Sequence, residues 1–255
     1  MKHREYIRMV PDAKTAVFFI HGIVGTPNHF LTQIPLVDLV PEEWSLCNIL
    51  LDGHGGNADD FAATSMKMWK SQVFSIFRRL CETHDRVILV AHSMGTLFAM
   101  QMALEQPEKI PFLFLIAAPM RPGLRLFGVI NCLRLVFGKV RQDRPLEVAT
   151  RNVCGVQTTR KLWKYIKWIP RFLELFREIS CTEKRMGAID VPCVAWQSRR
   201  DELVTNWTKD VLERSGVMEV HELLNSTHFY YDPQDQKTVR ASFEKLLNGV
   251  KEKQD

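Results

Sequence analysis

The chain, 255 residues long, reads as an α/β fold built on a mostly parallel central sheet flanked by helices, and three observations predict it. Short runs rich in Val, Ile, Leu and Phe recur at 16–20, 47–51, 86–91, 112–117, 192–197 and 218–224. Strands covered on both faces look like this, because neither side needs to be polar. Segments of helical period separate them at 30–40, 66–82, 95–108, 207–215 and 236–250, the alternation that parallel crossovers require. It fails once: about seventy residues between 117 and 192 carry helical pattern and no strand, far too long for a crossover. A helical insertion is therefore predicted, with 1–118 and 188–255 forming the core and 119–187 the inserted unit.

Hydrophobic residues make up 46% and charged residues 25%, the balance of a soluble globular fold rather than a disordered or fibrous one. The opening MKHREYIRMVPD carries charge from its second residue, and no apolar stretch reaches signal-peptide or membrane-spanning length, so neither leader nor anchor is expected. The cysteines at 47, 81, 132, 154, 181 and 193 are scattered and form no CxxC pair. That spacing predicts no metal site and no disulfide framework, and points to a reducing, cytoplasmic home. Between 121 and 187 there are 15 Lys or Arg against 5 Asp or Glu, and elsewhere 19 against 24. All of the net charge of +5 thus sits on the insertion. There, 124–137 is apolar nearly all round, while Trp163, Tyr165, Trp168, Phe172 and Phe176 interleave with Lys164, Lys167 and Arg171. Pro170 should end one helix and start the next.

The chemistry centres on Ala91-His92-Ser93-Met94-Gly95. A serine between a buried strand and a helix, with very small residues two positions to each side, matches the nucleophile elbow G-x-S-x-G, here with Ala for the first Gly. The competing reading is an ordinary helix N-cap serine. A nucleophilic hydroxyl needs a base, and the base an acid to orient it. For a serine elbow both come from later loops at the same sheet edge. Asp201, in QSRRDELV, follows the run at 192–197, and His228, in LNSTHFYYD, follows the run at 218–224. Glu202 is expected to point away from the same loop, and Asp232 comes after the base. His84 and His221 fit packed or solvated roles, His3 lies in a tail, and His21 reads as a structural hydrogen-bonder. Two N–H groups must face the oxyanion: Met94, after the nucleophile, and Ile23, in the loop of HGIVGTP that follows the run at 16–20. Thr26-Pro27 reads as an N-cap and first helical residue. The glycines match no phosphate loop.

Together HGIVGTP, DGHGG, AHSMG, the RRDELV loop and NSTH resemble the α/β-hydrolase fold, in its bacterial carboxylesterase and monoacylglycerol-lipase-like branch, grouped with serine aminopeptidase S33-type hydrolases. The resemblance covers the whole core and implies a Ser93, Asp201 and His228 triad, an oxyanion hole of Ile23 and Met94, no cofactor, and a helical cap (lid) after the sixth core strand. DGHGG is read as loop geometry. Departures are Ala91 and an N-terminus with room for little more than one strand before Ala16.

The implied activity is hydrolysis of carboxylic esters of short to medium acyl chains through an acyl-enzyme, with a small-molecule ester as substrate. Thioesterase, lysophospholipase and aminopeptidase chemistry are the alternatives. An aminopeptidase should carry acidic groups in its cap, and this one is basic. A non-catalytic scaffold for ligand or membrane binding is the remaining reading. Most cap aromatics are expected to pack onto the core. The basic face is either solvated or rests on an anionic membrane surface. Nucleic acid is not expected, because no binding module underlies the charge.

Overall fold

The structure, a computed structural model, describes residues 3–252. Strands form at Tyr6–Arg8 (β1), Thr15–Ile20 (β2), Ser45–Asn48 (β3), Arg86–His92 (β4), Leu113–Ile116 (β5), Cys193–Ser198 (β6) and Glu219–Leu223 (β7). They join in one sheet in the order β1-β3-β2-β4-β5-β6-β7. Only β1 runs antiparallel to its neighbour. Helices form at Ala58–Ala62 (α1), Met66–Thr83 (α2), Met94–Glu105 (α3), Leu126–Val136 (α4), Pro145–Val153 (α5), Ile169–Glu183 (α6), Trp207–Arg214 (α7) and Pro233–Lys251 (α8).

The central strands β2, β4 and β5 are apolar almost throughout because each face of the sheet has its own core, whereas the edge strands β1 and β7 are partly exposed and carry charged residues. On one side Phe18, Leu89 and Leu115 pack with residues of α2, α3 and α6 such as Phe77, Phe98 and Leu175. On the other, Phe19, Val90 and Phe114 pack with Phe30, Ile34 and Phe243. Parallel pairing from β2 through β7 places every strand's C-terminal end at one edge, where ligands bind in open α/β sheets. The loops after β2, β4, β6 and β7 all open there.

Three elements depart from expectation. The segment 30–40 is not a helix but a single turn at His29–Gln33 and a 3₁₀ turn at Val37–Leu39. Pro35 explains this, since the residue before a proline is pushed out of the helical region, and Ile34 lies at φ −129°, ψ 89°. Thr26 does not cap the turn, and its buried hydroxyl has no partner. The insertion follows β5, the fifth strand in this chain, because a single strand precedes β2; a count of six belongs to a sheet with one more strand at that edge. Helix α1 is too short to show a helical period in the sequence, although Asn57 and Asp60 build a reciprocal capping box at its start.

Between β5 and β6 the chain carries α4, α5, a 3₁₀ stretch at Leu162–Trp168 and α6, with Pro170 in the first turn of α6. Of the five aromatics, Trp168 is buried and Tyr165 packs beside it, whereas Trp163, Phe172 and Phe176 are exposed. The expectation that most pack onto the core is corrected: the 3₁₀ stretch and α6 present one narrow inner stripe. The basic residues interleaved there are not a free face. Lys164 and Lys167 pair with Asp59, and Arg171 donates to the Ala62 carbonyl and pairs with Glu174. They fasten the insertion to α1, as does Trp168 Nε1 donating to the Ala58 carbonyl at 2.9 Å. Among the described residues no helix is long and apolar enough to cross a membrane.

Helix α3 crosses β2 closely, and a Cβ on Gly95 would collide with the Ile20 carbonyl and lie 2.9 Å from that of His21. Gly95→Ala should therefore cost about 1–3 kcal/mol in chemical denaturation. Gly249→Ala, whose Cβ meets open space in α8, should stabilise by about 0.5–1 kcal/mol. Equal effects would contradict the crossing argument.

Candidate active site

Ser93 stands between β4 and α3 at φ 51°, ψ −124°, a conformation that costs a non-glycine residue on the order of 1–3 kcal/mol. Its side chain makes no hydrogen bond to the helix N-terminus, so the N-cap reading does not describe it. The turn persists because its surroundings leave no alternative. The Ser93 N–H donates to the Ile116 carbonyl at 2.9 Å, and the backbones close in so far that a Cβ on Gly22 would lie 2.6 Å from that of Ser93. Ala91, in place of the usual glycine, fits as a fully buried strand residue.

His228 follows β7 and is held at three points. Its Nδ1–H donates to Asp201 Oδ2 at 2.8 Å, its backbone N–H donates to Glu202 Oε2 at 2.8 Å, and its carbonyl accepts from His92 Nε2 at 3.2 Å. Asp201 is itself fixed, because Oδ1 accepts the N–H groups of Leu203 and Val204, both at 2.8 Å. Burial pulls the imidazole pKa down, but the charge and hydrogen bond of Asp201 and the charge of Glu202 outweigh it, and the net shift is upward. The rival Asp232 caps α8 instead, accepting from the Gln234 N–H. Glu202 was expected to point away. It is instead buried against His228, with Oε1 unpartnered, and burial followed by the neighbouring Asp201 charge raises its pKa. Nothing in the spacing of RRDELV distinguishes that role. Nor does the spacing announce Asp235, which accepts from the Asn225 N–H and Ser226 hydroxyl and so shapes the loop ahead of His228.

Facing them is the loop after β2. Val24 takes φ 58°, an outlier for a β-branched residue. Its N–H donates to His54 Nε2 at 3.1 Å and its carbonyl accepts from Gly155 of the insertion at 2.7 Å. His21 braces the same loop, accepting the Leu51 N–H at Nε2 and donating from Nδ1 to the Gly22 carbonyl. Since an N–H can only donate, both Nε2 atoms are unprotonated and both rings are neutral, packed 5.0 Å apart. His21 is a structural hydrogen-bonder, and His54 gives DGHGG its part in loop geometry. Met94 opens α3, where an N–H has no intrahelical acceptor. The N–H of Ile23 goes to no acceptor among the described residues.

Ser93, His228 and Ile23 line one cavity of about 340 Å³, closed by Leu124, Phe172 and Phe176 of the insertion. Among the described residues no hydrogen bond joins Ser93 to His228; sites without substrate are often looser than the complex that reacts. The insertion is tied to both walls. Gly123 N–H donates to the Leu203 carbonyl and Thr205 N–H to that of Arg121, while Gln157 N–H donates to that of Gly56.

The neutral histidines make this edge acid-sensitive. Burial, then the charge of its partner His54, holds His21 well below the ordinary imidazole range, and burial brings His54 to about 4 and His29 to about 3. A pKa depressed in the folded state favours proton uptake on unfolding. The stability is full above about 6.5 and is lost as pH falls toward 4 and below. His54 alone accounts for on the order of 3 kcal/mol. Thermal melts should drop steeply between pH 6.5 and 4, and His54→Asn should flatten part of that drop; an unchanged slope would contradict the neutral brace.

The family described as "Serine aminopeptidase, S33" (Hydrolase_4) matches residues 11–228. Over 130 residues the chain is 30% identical to "Probable lysophospholipase BODYGUARD 4" of Arabidopsis thaliana, a match covering 50% of this chain and 30% of that protein. The chain therefore spans under a third of that relative's length. Similar solved structures include one described with the metagenome-derived lipolytic enzymes LipS and LipT (18% identity, TM-score 0.70, covering 96% of this chain and 97% of that one). Another is the Paleococcus ferrophilus monoacylglycerol lipase (16% identity, TM-score 0.62, covering 97% and 99%). These likenesses show a shared fold. With residues 11–228 matched and that sheet and edge in place, the chain belongs to the serine aminopeptidase S33 family of α/β-hydrolases.

Proposed function

We infer that the protein hydrolyses carboxylic esters of short to medium acyl chains through an acyl-enzyme. The observation that carries this reading is a strained serine and an Asp201-held imidazole on the wall of one apolar cavity. Ser93 Oγ attacks the ester carbonyl while His228 Nε2 takes its proton, and Asp201 stabilises the resulting imidazolium. The N–H groups of Ile23 and Met94 receive the negative oxygen, a contribution of roughly 10²–10³ per donor in rate. His228 then protonates the departing alcohol, water enters, and the same steps in reverse order release the acid.

The cavity's lining favours an acyl chain, and its volume lies in the ordinary range for small-molecule sites. An aminopeptidase needs a carboxylate for the substrate ammonium, and among the described residues none lines this cavity. The segment 119–187 serves as the cap, its aromatic residues forming the cavity roof. Exposed Leu162, Trp163 and Ile166, beside the exposed Lys161 that lies over the Trp163 ring, support contact of the cap with an anionic lipid surface. Six free thiols agree with a reducing, cytoplasmic location.

p-Nitrophenyl esters should give a burst of p-nitrophenol of about one per site. Asp201→Asn should lower kcat by about 10⁴-fold, through the wrong imidazole tautomer. Turnover undiminished in Ser93→Ala would contradict the reading, and ligand binding without turnover by the parent protein would favour a non-catalytic scaffold.

Because His228 must be neutral to act as base and its pKa is raised, kcat/KM should climb with pH through a value above the usual 6.5. Glu202→Gln keeps an acceptor for the His228 N–H but removes a charge. That limb should move to lower pH with a small change in kcat, and an unmoved limb would leave Glu202 no electrostatic role.

A further inference from the structure

A second cavity, of about 460 Å³, lies between the insertion and the core. Four arginines line it: Arg134 of α4, Arg141 and Arg144 ahead of α5, and Arg200 in the loop after β6. The single carboxylate among its lining residues is Glu147, buried and already engaged. It accepts from Arg134 Nη1 at 2.6 Å, from Arg141 Nε and Nη2 at 3.0 and 2.6 Å, and from the Arg141 N–H at 2.9 Å. One carboxylate thus fixes two guanidiniums and leaves the lining with an excess of three positive charges. Arg144 has only the exposed Asp143 at 3.9 Å. Arg200, also exposed, has no side-chain partner among the described residues.

Asn131 adds a second, independent observation. It lines the cavity, is only 4% exposed, and gives its Nδ2–H to Thr150 Oγ1 at 2.6 Å, leaving Oδ1 with no donor. A buried acceptor without a partner costs about 1–3 kcal/mol; Oδ1 itself is sealed from solvent, so a ligand hydroxyl relieves that cost only once the Asn131 side chain turns toward the cavity. Phe127, Leu146 and Tyr230 supply apolar wall.

We propose that this cavity is a second binding site, for an organic phosphate that carries a hydroxyl and an apolar portion. The forked donors of Arg144 and Arg200 match phosphate oxygens, against a field held in place by Arg134 and Arg141. The hydroxyl donates to Asn131 Oδ1 as that side chain turns toward the cavity, and carbon atoms rest on Phe127 and Tyr230. The site is separate from the Ser93 cavity but shares its partition, since Thr227 faces one and His228 the other. A lipid-derived phosphate and a soluble phosphate ester share this chemistry.

Calorimetric titration of the purified chain at low ionic strength tests it, with three probes: inorganic phosphate, glycerol 3-phosphate, and an ether-linked lysophosphatidate below its critical micelle concentration, which cannot be deacylated. Glycerol 3-phosphate should bind at least tenfold more tightly than inorganic phosphate. The double variant Arg144→Ala/Arg200→Ala, which leaves the Glu147 network intact, should weaken that binding at least tenfold while its melting temperature holds. Tighter binding of the lysophosphatidate, lost in the same variant, assigns a lipid source; binding no tighter than glycerol 3-phosphate assigns a soluble one. Absence of heat with all three probes, equal binding of the two smaller ones, or undiminished binding by the folded double variant would overturn the proposal.

Discussion

The turn between β4 and α3 is the constraint around which the site is arranged. Ser93 occupies a backbone conformation that costs on the order of 1–3 kcal/mol, and it is held there by a strand whose Val87, Ile88, Leu89 and Val90 are fully buried. At about 1.5–3 kcal/mol for each such side chain, the strand's burial exceeds the strain several-fold even after allowance for a compact unfolded state. The glycines at 22 and 95 are the other half of the arrangement. They let the β2 loop and the first turn of α3 approach so closely that the hydroxyl projects into the cavity while the Met94 N–H remains unclaimed.

Around that turn the protein fixes its polar groups before any ligand arrives. His228 is restrained at its ring, its N–H and its carbonyl, and Asp201 spends one carboxylate oxygen on its own loop and the other on the imidazole. Across the cavity His21 and His54 are kept neutral by burial so that their unprotonated nitrogens can accept backbone N–H groups. Donors placed this way in a low-dielectric edge need little reorganisation when charge develops. The insertion takes part, since its Gly155 holds the carbonyl of strained Val24 and its first residues pair with the loop that bears Asp201.

Much of this was legible in the sequence where the physics is local. Buried parallel strands announce themselves by unbroken apolar runs, and AHSMG, HGIVGTP and the loops bearing Asp201 and His228 carry their geometry in residue size and order. What was not legible depends on tertiary partners. Pro35 breaks a segment whose period is helical, and α1 is too short to show a period at all. Glu202 could be read as a solvent-facing neighbour of Asp201, because whether a loop carboxylate turns inward depends on the His228 N–H, distant in sequence. Lys164 and Lys167 read in the sequence as part of a basic surface, but their partner, Asp59, lies about a hundred residues away in the chain, as the separations of the two Lys–Asp59 contacts show. Pattern alone also could not say which of the insertion's aromatics face inward.

On this reading one hydroxyl, that of Ser93, and no other is made nucleophilic by this edge. Labelling the folded protein with a fluorophosphonate and locating the adduct by peptide mass spectrometry tests it most directly. A single adduct on Ser93, lost in Ser93→Ala and slowed in His228→Gln, is the predicted result. Labelling at another residue, or labelling that persists in Ser93→Ala, would contradict it.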